Sequence, residues 1–291
     1  MTDSLARIGR KIGGARQLGS VVHAMKALAT SSIGQYESAV RALRDYLGNV
    51  ELGLAVCLRT RPLPPDFVDG EPARLIAIAF GSDQGLVGRF NEAVADHAQE
   101  FLARHSSVSS ILVVGERLAE RLVQLGRSPG TVAPVPSSVA AIAPLVARLL
   151  VQIEANRITG SRLAVHVFFN RADERSSFTP ASVRLLPLDA RWQRRLAQLP
   201  WPTKSLPEPI GPLEANLRAH LREYLFVSLF HACAESLSSE NASRLAAMQR
   251  AERNIESLLE ELTRAFNDLR QGAIDEELFD VIAGYRSIPA R

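Results

Sequence analysis

The stretch LAAMQRAERNIESLLEELTRAFNDLRQGA, residues 245–273, decides the fold. Leu245, Met248, Glu252, Ile255, Leu259, Leu262, Phe266, Leu269 and Ala273 fall alternately three and four apart. A 3.5-residue repeat of this kind sets one stripe of a helix against a partner helix and implies a left-handed supercoil. Glu252 is the one polar residue in the seam. Glutamate and arginine fill the outer positions, as a solvated face requires.

The partner helix is at the other end of the chain. Proline is absent from residues 1–61 and 213–288 and concentrated in 62–212. Because proline breaks helix interiors, both ends can form long helices. In the N-terminal segment a similar spacing links Leu5, Ile8, Ile12, Ala15, Val22, Met25, Ala29, Tyr36, Val40, Leu43, Leu47, Val50, Leu54 and Cys57. Its seven glycines would each cost about 1 kcal/mol in an isolated helix, so tertiary packing must hold it. With Cys57 and Leu213 level, paired positions should sum to about 270, which sets Met25 near Leu245 and Val22 near Met248. The N-terminal helix would then run out opposite roughly residue 265, leaving a lone C-terminal tip.

Between the helices the pattern changes. Apolar runs at 74–80, 110–114, 161–169 and 178–186, with a short one at 131–135, read as strands. Helical stretches at 89–104, 116–125 and 139–157 alternate with them. Strand alternating with helix predicts a mostly parallel sheet with an added hairpin turning at Asn170 to Ser176. Residues 187–212 read as a proline-rich extended connector. The expected fold is therefore α/β plus long helices: an antiparallel coiled coil (1–61 with 213–291) and an inserted Rossmann-like α/β domain (62–212).

Composition narrows the function. Net charge is only +3 and aromatic residues make up 6%, too little basic and stacking material to argue for nucleic acid. Cys57 and Cys233 cannot make a framework of several bridges, which fits a reducing compartment. The start of the chain shows no apolar signal core. The apolar run from Tyr224 to Ala234 is far short of the roughly 20 residues of a membrane span, so membrane association is expected only through partners.

Three features bear on chemistry. Gly81-Ser-Asp-Gln-Gly85-Leu-Val-Gly88 follows a strand and precedes a helix, the order of a phosphate cradle, and Glu116 after the second strand would be the ribose-binding acid. Its spacing is neither GxGxxG nor a Walker loop, so a structural turn competes with a nucleotide module bearing coiled-coil arms. Histidines 23, 97, 105, 166, 220 and 231 lack metal-ligand spacing, and no nucleophile motif is present, so neither metal nor cofactor is expected. Arg7, Arg10, Lys11, Arg16 and Lys26 occur with no acid between Asp3 and Glu37, either a solvated face or a positive surface for acidic partner loops.

At both ends the chain resembles the gamma subunit of F-type ATP synthases. ESLSSENASRLAAMQRAERN (235–254) and FNDLRQGAIDEELFDVIAG (266–284) are similar to that family's C-terminal patterns. Ile8, Lys11, Ile12, Ala24, Met25, Ala29 and Ser31 fit its opening helix, and SDQGLVG (82–88) its Ser-Asp-Arg-Gly-Leu-Cys-Gly turn. Gln84, Val87, His23, Ser32 and Asp275 depart from it, which points to a divergent member. The resemblance implies a non-catalytic rotor shaft inside a ring of alpha and beta subunits, present once per complex. Its α/β domain would rest on the membrane c-ring and hold epsilon, on the cytoplasmic face of a bacterial inner membrane. Met25, Lys26, Arg244, Arg270 and Gln271 are the expected contacts to beta.

Overall fold

A computed structural model describes residues 2–60, 63, 74–105, 108–156, 163–173, 178–208 and 210–286. Two long helices, α1 (Thr2–Thr60) and α6 (Leu213–Arg286), occupy the ends of the chain. Between them come β1 (Arg74–Phe80), α2 (Phe90–Ala103), β2 (Val108–Val114), α3 (Glu116–Gln124), β3 (Thr131–Ala133), α4 (Val139–Ala155), β4 (Leu163–Arg171), β5 (Thr179–Leu186) and α5 (Ala190–Ala197). The expected α/β fold with long helices is what forms. Residues 174–176 of the expected hairpin turn, the first residues of the strand expected from 161, and 287–291 lie outside the described residues.

The chain divides into two compact units, Met1–Leu28 with Leu245–Arg291, and Ala29–Arg244. In the first, α1 and α6 run antiparallel. A side-chain carbon on Gly19 would stand 3.6 Å from Ile255, and one on Gly9 3.9 Å from Phe266. Paired numbers thus add to about 275 rather than 270. Five residues of slip is about 7.5 Å of axial shift, which takes Val22 past Met248 and brings residues near 252 level with it. With α1 described from Thr2, its first residue is level with about residue 273, beyond the 265 expected. Packing between the helices, not level ends at Cys57 and Leu213, sets the pairing. Lys26 Nζ donates to Glu252 at 2.7 Å, and His23 Nδ1 lies 3.7 Å from the same carboxylate, so the polar seam residue has partners across the pair.

In the second unit the strand order is β3-β2-β1-β4-β5, parallel except for β5, which pairs antiparallel with β4. Alternation along β1 separates two cores. Leu75, Ala77 and Ala79 face α2 and α3, while Ile76, Ile78 and Phe80 join a cluster with α4, α1 and α6. The apolar run of α6 is spent there: Leu217, Leu221, Val227 and Leu229 have no exposed surface. Gly53 lets the helices close, since a Cβ on it would lie 2.3 Å from the His220 ring.

The connector expected over 187–212 contains a helix instead. Asp189 caps α5, its carboxylate accepting from the backbone N–H groups of Arg191 and Trp192. Leu196 is buried and the Trp192 ring packs 4.9 Å from Tyr224. The flanking prolines bound this helix rather than prevent it.

Candidate functional site

In an open α/β sheet ligands bind beyond the carboxyl ends of the strands, where the connections diverge to opposite faces. Here that point lies between β1 and β4, because α2 leaves β1 on one face and α4 enters β4 from the other. The Gly81–Gly88 turn stands at its rim. Its polar groups are turned inward on the protein itself. The Asp83 carboxylate accepts from Glu116 N–H at 3.0 Å and Val135 N–H at 2.8 Å, tying the turn to α3 and to the segment after β3. Asn91 accepts from Ser82 N–H at 2.9 Å and donates to Ser82 Oγ at 2.8 Å, and that hydroxyl donates to the Gln84 carbonyl. Gly81 meets a packing demand, since a Cβ there would lie 2.3 Å from Leu118 Cβ. Glu116 contributes its backbone N–H to this network, and its side chain is exposed.

The crevice itself is filled by α6. Ser236 Oγ reaches the Phe80 carbonyl at 3.5 Å, Ser243 Oγ donates to the Val87 carbonyl at 2.5 Å, and Glu235 pairs with Arg171 at the end of β4 at 3.1 Å. Ser236, Ser238, Ser239, Glu240, Asn241 and Ser243 are all buried. The family pattern over this run carries no sign that it is buried. Its signal was a serine-rich helical segment directly after an apolar one. Glu240 pairs with Arg244 at 2.6 Å. Burial raises the Glu240 pKa above the usual carboxylate value, Arg244 opposes the rise, and Asp83 adds to it. Burial also pushes the Tyr36 hydroxyl and the Cys233 thiol up, with Glu240 adding to both. Both cysteines are free and buried.

The five expected contact residues fall into different surroundings. Arg270 and Gln271 are exposed on α6, and among the described residues neither has an ion-pair partner. Both stand opposite the first turn of α1, not on a lone tip. Met25 is half-buried and lies between exposed Val21 and Leu28 on one face of α1. Lys26 is engaged with Glu252, and Arg244 with Glu240. Exposed Arg7, Arg10, Lys11 and Arg16 continue the positive face of α1. Further along α6, Ile274, Leu278 and Ile282 recur every fourth residue and are exposed, with Phe279 beside them. Among the described residues no three His, Cys, Asp or Glu side chains gather to hold a metal, and no helix is long and apolar enough to cross a membrane.

One unit is an antiparallel helix pair with exposed apolar and cationic faces, and the other a Rossmann-like sheet whose strand ends are met by side chains of α6, which defines the class as α/β with long terminal helices. Comparison with known proteins makes the class specific. The ATP synthase family model matches residues 4–288, and the chain belongs to that family. It is 28% identical to the ATP synthase gamma chain of Paracoccus denitrificans, covering 98% of this chain and 99% of that one. It is 25% identical to the gamma chain of Syntrophus aciditrophicus, covering 98% of each. The rotor of the Euglena gracilis mitochondrial ATP synthase shares the fold, with a TM-score of 0.67 at 15% identity over 94% of this chain and 100% of that one.

Proposed function

We propose that this chain is the non-catalytic rotor shaft of an F-type ATP synthase, coupling ion flow through a membrane c-ring to ATP synthesis or hydrolysis on the beta subunits. The observation that carries the reading is the family match from residue 4 to 288, on a chain whose α/β crevice is occupied by its own helix α6. The first unit is shaped for contact with other chains. Its two helices bury little beyond Ile12, Ala15 and Met248, and leave Leu18, Val21, Leu28 and the 274–282 stripe exposed. Apolar stripes of that kind mark surfaces that partners cover. Inside a ring of alpha and beta subunits they would be covered, and each rotor angle would favour a different conformation of each beta subunit.

Met25, Lys26, Arg244, Arg270 and Gln271 are the residues proposed to touch beta. Arg270 and Gln271 are free to do so directly. Lys26 and Arg244 must exchange Glu252 and Glu240 for the partner. The α/β domain would hold epsilon and rest on the c-ring, one copy per complex, with the whole peripheral to the membrane on the cytoplasmic face of a bacterial inner membrane. Co-expression with its cognate alpha and beta subunits tests the reading. The tagged chain should bring down both in a complex that hydrolyses ATP. Recovery of the chain alone, with saturable ATP, ADP or NAD binding abolished by Gly85→Val, would favour a nucleotide module instead.

A further inference from the structure

We propose that the Glu240–Arg244 pair is an acid-released latch, in which a proton taken up by Glu240 frees the Arg244 guanidinium for a carboxylate on a surrounding subunit. The two residues stand one turn apart on α6, and Arg244 Nη2 donates to Glu240 Oε1 at 2.6 Å. Only 6% of the Glu240 side chain and 14% of the Arg244 side chain are exposed. The pair is joined through that one hydrogen bond, not the two parallel bonds that a guanidinium and a carboxylate can make. Glu240 Oε2, Arg244 Nε and the adjacent Ser239 Oγ are buried, and among the described residues none of the three has a hydrogen-bond partner. A buried ion pair recovers its desolvation cost only when its remaining donors and acceptors are satisfied. This pair is held without being saturated, which is the condition for exchanging one partner for another.

The surroundings set the direction of the response. The titratable and charged groups around Glu240 are Arg244 and Cys233 on α6, Tyr36 on α1 and Asp83 in the Gly81–Gly88 turn. Burial and the Asp83 charge both favour a neutral Glu240 carboxyl, and Arg244 opposes them. Asp83 is itself committed to the Glu116 and Val135 N–H groups. A proton on Glu240 thus removes the charge that holds Arg244 and leaves a carboxyl in a site suited to its neutral form. The guanidinium keeps its charge throughout, and a partner carboxylate would receive it through two bonds. Ionised Glu240 recaptures it, so the released fraction should fall about tenfold for each pH unit above the native Glu240 midpoint. The partner's identity rests on the shaft reading; the latch within the chain does not.

An NMR titration of the full native chain tests the latch without any partner, following the Glu240 carboxyl carbon and the Arg244 Nε–H. Between about pH 8 and pH 5 the carboxyl should titrate above the ordinary carboxylate range. At the same midpoint the Arg244 Nε–H should lose at least about tenfold of its protection from solvent exchange. In E240Q, neutral at every pH, that protection should already be lost at about pH 8. The proposal is overturned if Glu240 takes up its proton while Arg244 stays protected, if Glu240 remains ionised down to about pH 5, or if folded E240Q protects Arg244 as the native chain does. Should melting show that E240Q does not fold, the native titration still decides. In the complex reconstituted with alpha and beta subunits and the membrane sector, E240Q should raise the ratio of ATP-driven pumping to ATP hydrolysis at about pH 8, and the gap from native should close as pH falls through the Glu240 midpoint. E240Q/R244Q, which removes both charges and strands neither, should show no such gain. Equal ratios in all three at every pH would overturn the proposal. A chain that assembles with neither alpha nor beta would instead overturn the shaft reading, and the titration would decide the latch.

Discussion

At the scale of single residues, the buried ionisable groups set how stability responds to pH. The His166 ring on β4 packs at a tilt against Phe101, 4.3 Å between centroids. Burial lowers its pKa to about 4, with Arg184 and His105 adding to the shift. A base held below its ordinary value stays neutral in the fold while the unfolded chain takes up a proton. Stability is therefore lost as pH falls from about 6.5 towards about 4, and the loss levels off below that. Imidazole NMR should follow His166 as neutral to near pH 4, and His166→Phe should flatten that part of the stability curve; a midpoint near 6.5 would contradict this. Glu240 has the opposite sign. Its raised pKa means protonation favours the folded state, so its unfavourable contribution is full above the native value and fades as pH falls towards 4.5. Arg244→Ala would strand this buried carboxylate and should cost about 3–5 kcal/mol near neutral pH. The deficit should shrink on acidification, because the proton removes the unpaired charge. Urea melts of the chain at about pH 7 and pH 5 check both parts; a loss under about 1 kcal/mol, or one independent of pH, would mean that Glu240 finds another partner.

At the scale of elements, the helix pair makes its own prediction. Gly19→Cys with Ile255→Cys, in a background lacking Cys57 and Cys233, should oxidise readily, because a Cβ at 19 lies 3.6 Å from the Ile255 side chain. Val22→Cys with Met248→Cys, slipped by about 7.5 Å, should not. Efficient oxidation of only the second pair would restore the register read from the helix ends. That register was beyond the sequence because a 3.5 repeat identifies a seam without saying which turn meets which. Glu252 stood out as the polar seam residue, but its partner Lys26 lies 226 positions away. The strands were easier. RLIAIAF is buried on both faces, so the run itself bounds β1. α5 was hidden by the prolines around it, although its Asp189 cap was present as a signal. The buried serines of α6 were hidden for another reason: their partners are carbonyls of Phe80 and Val87, and nothing local marks a hydroxyl as destined for a carbonyl 156 residues away.

At the scale of the whole molecule, the question is which residues transmit torque rather than hold the shaft together. Lys26 and Arg244, both proposed as contacts to beta, already pair within the chain, so replacing them would confuse folding with coupling. Arg270 and Gln271 separate the two roles. Both are exposed, and Arg270 has no ion-pair partner among the described residues. Exposed substitutions away from such partners usually cost within about 0.5 kcal/mol, so Arg270→Ala with Gln271→Ala should leave melting and assembly nearly unchanged. The arginine's planar fork can bind a carboxylate of one surrounding subunit through two charge-assisted hydrogen bonds. Such a bond couples rotation to catalysis only if some rotor angles make it and others do not, because a contact of equal strength at every angle shifts no population. Losing it should let the shaft slip. In the complex reconstituted with its membrane sector, ATP-driven ion pumping should fall further than ATP hydrolysis, and the ratio of the two rates is the measurement. An unchanged ratio with native melting would move the coupling contact elsewhere on the first unit, to Met25 and the positive face of α1; a collapsed melting temperature would mean that these two side chains hold the helix pair together.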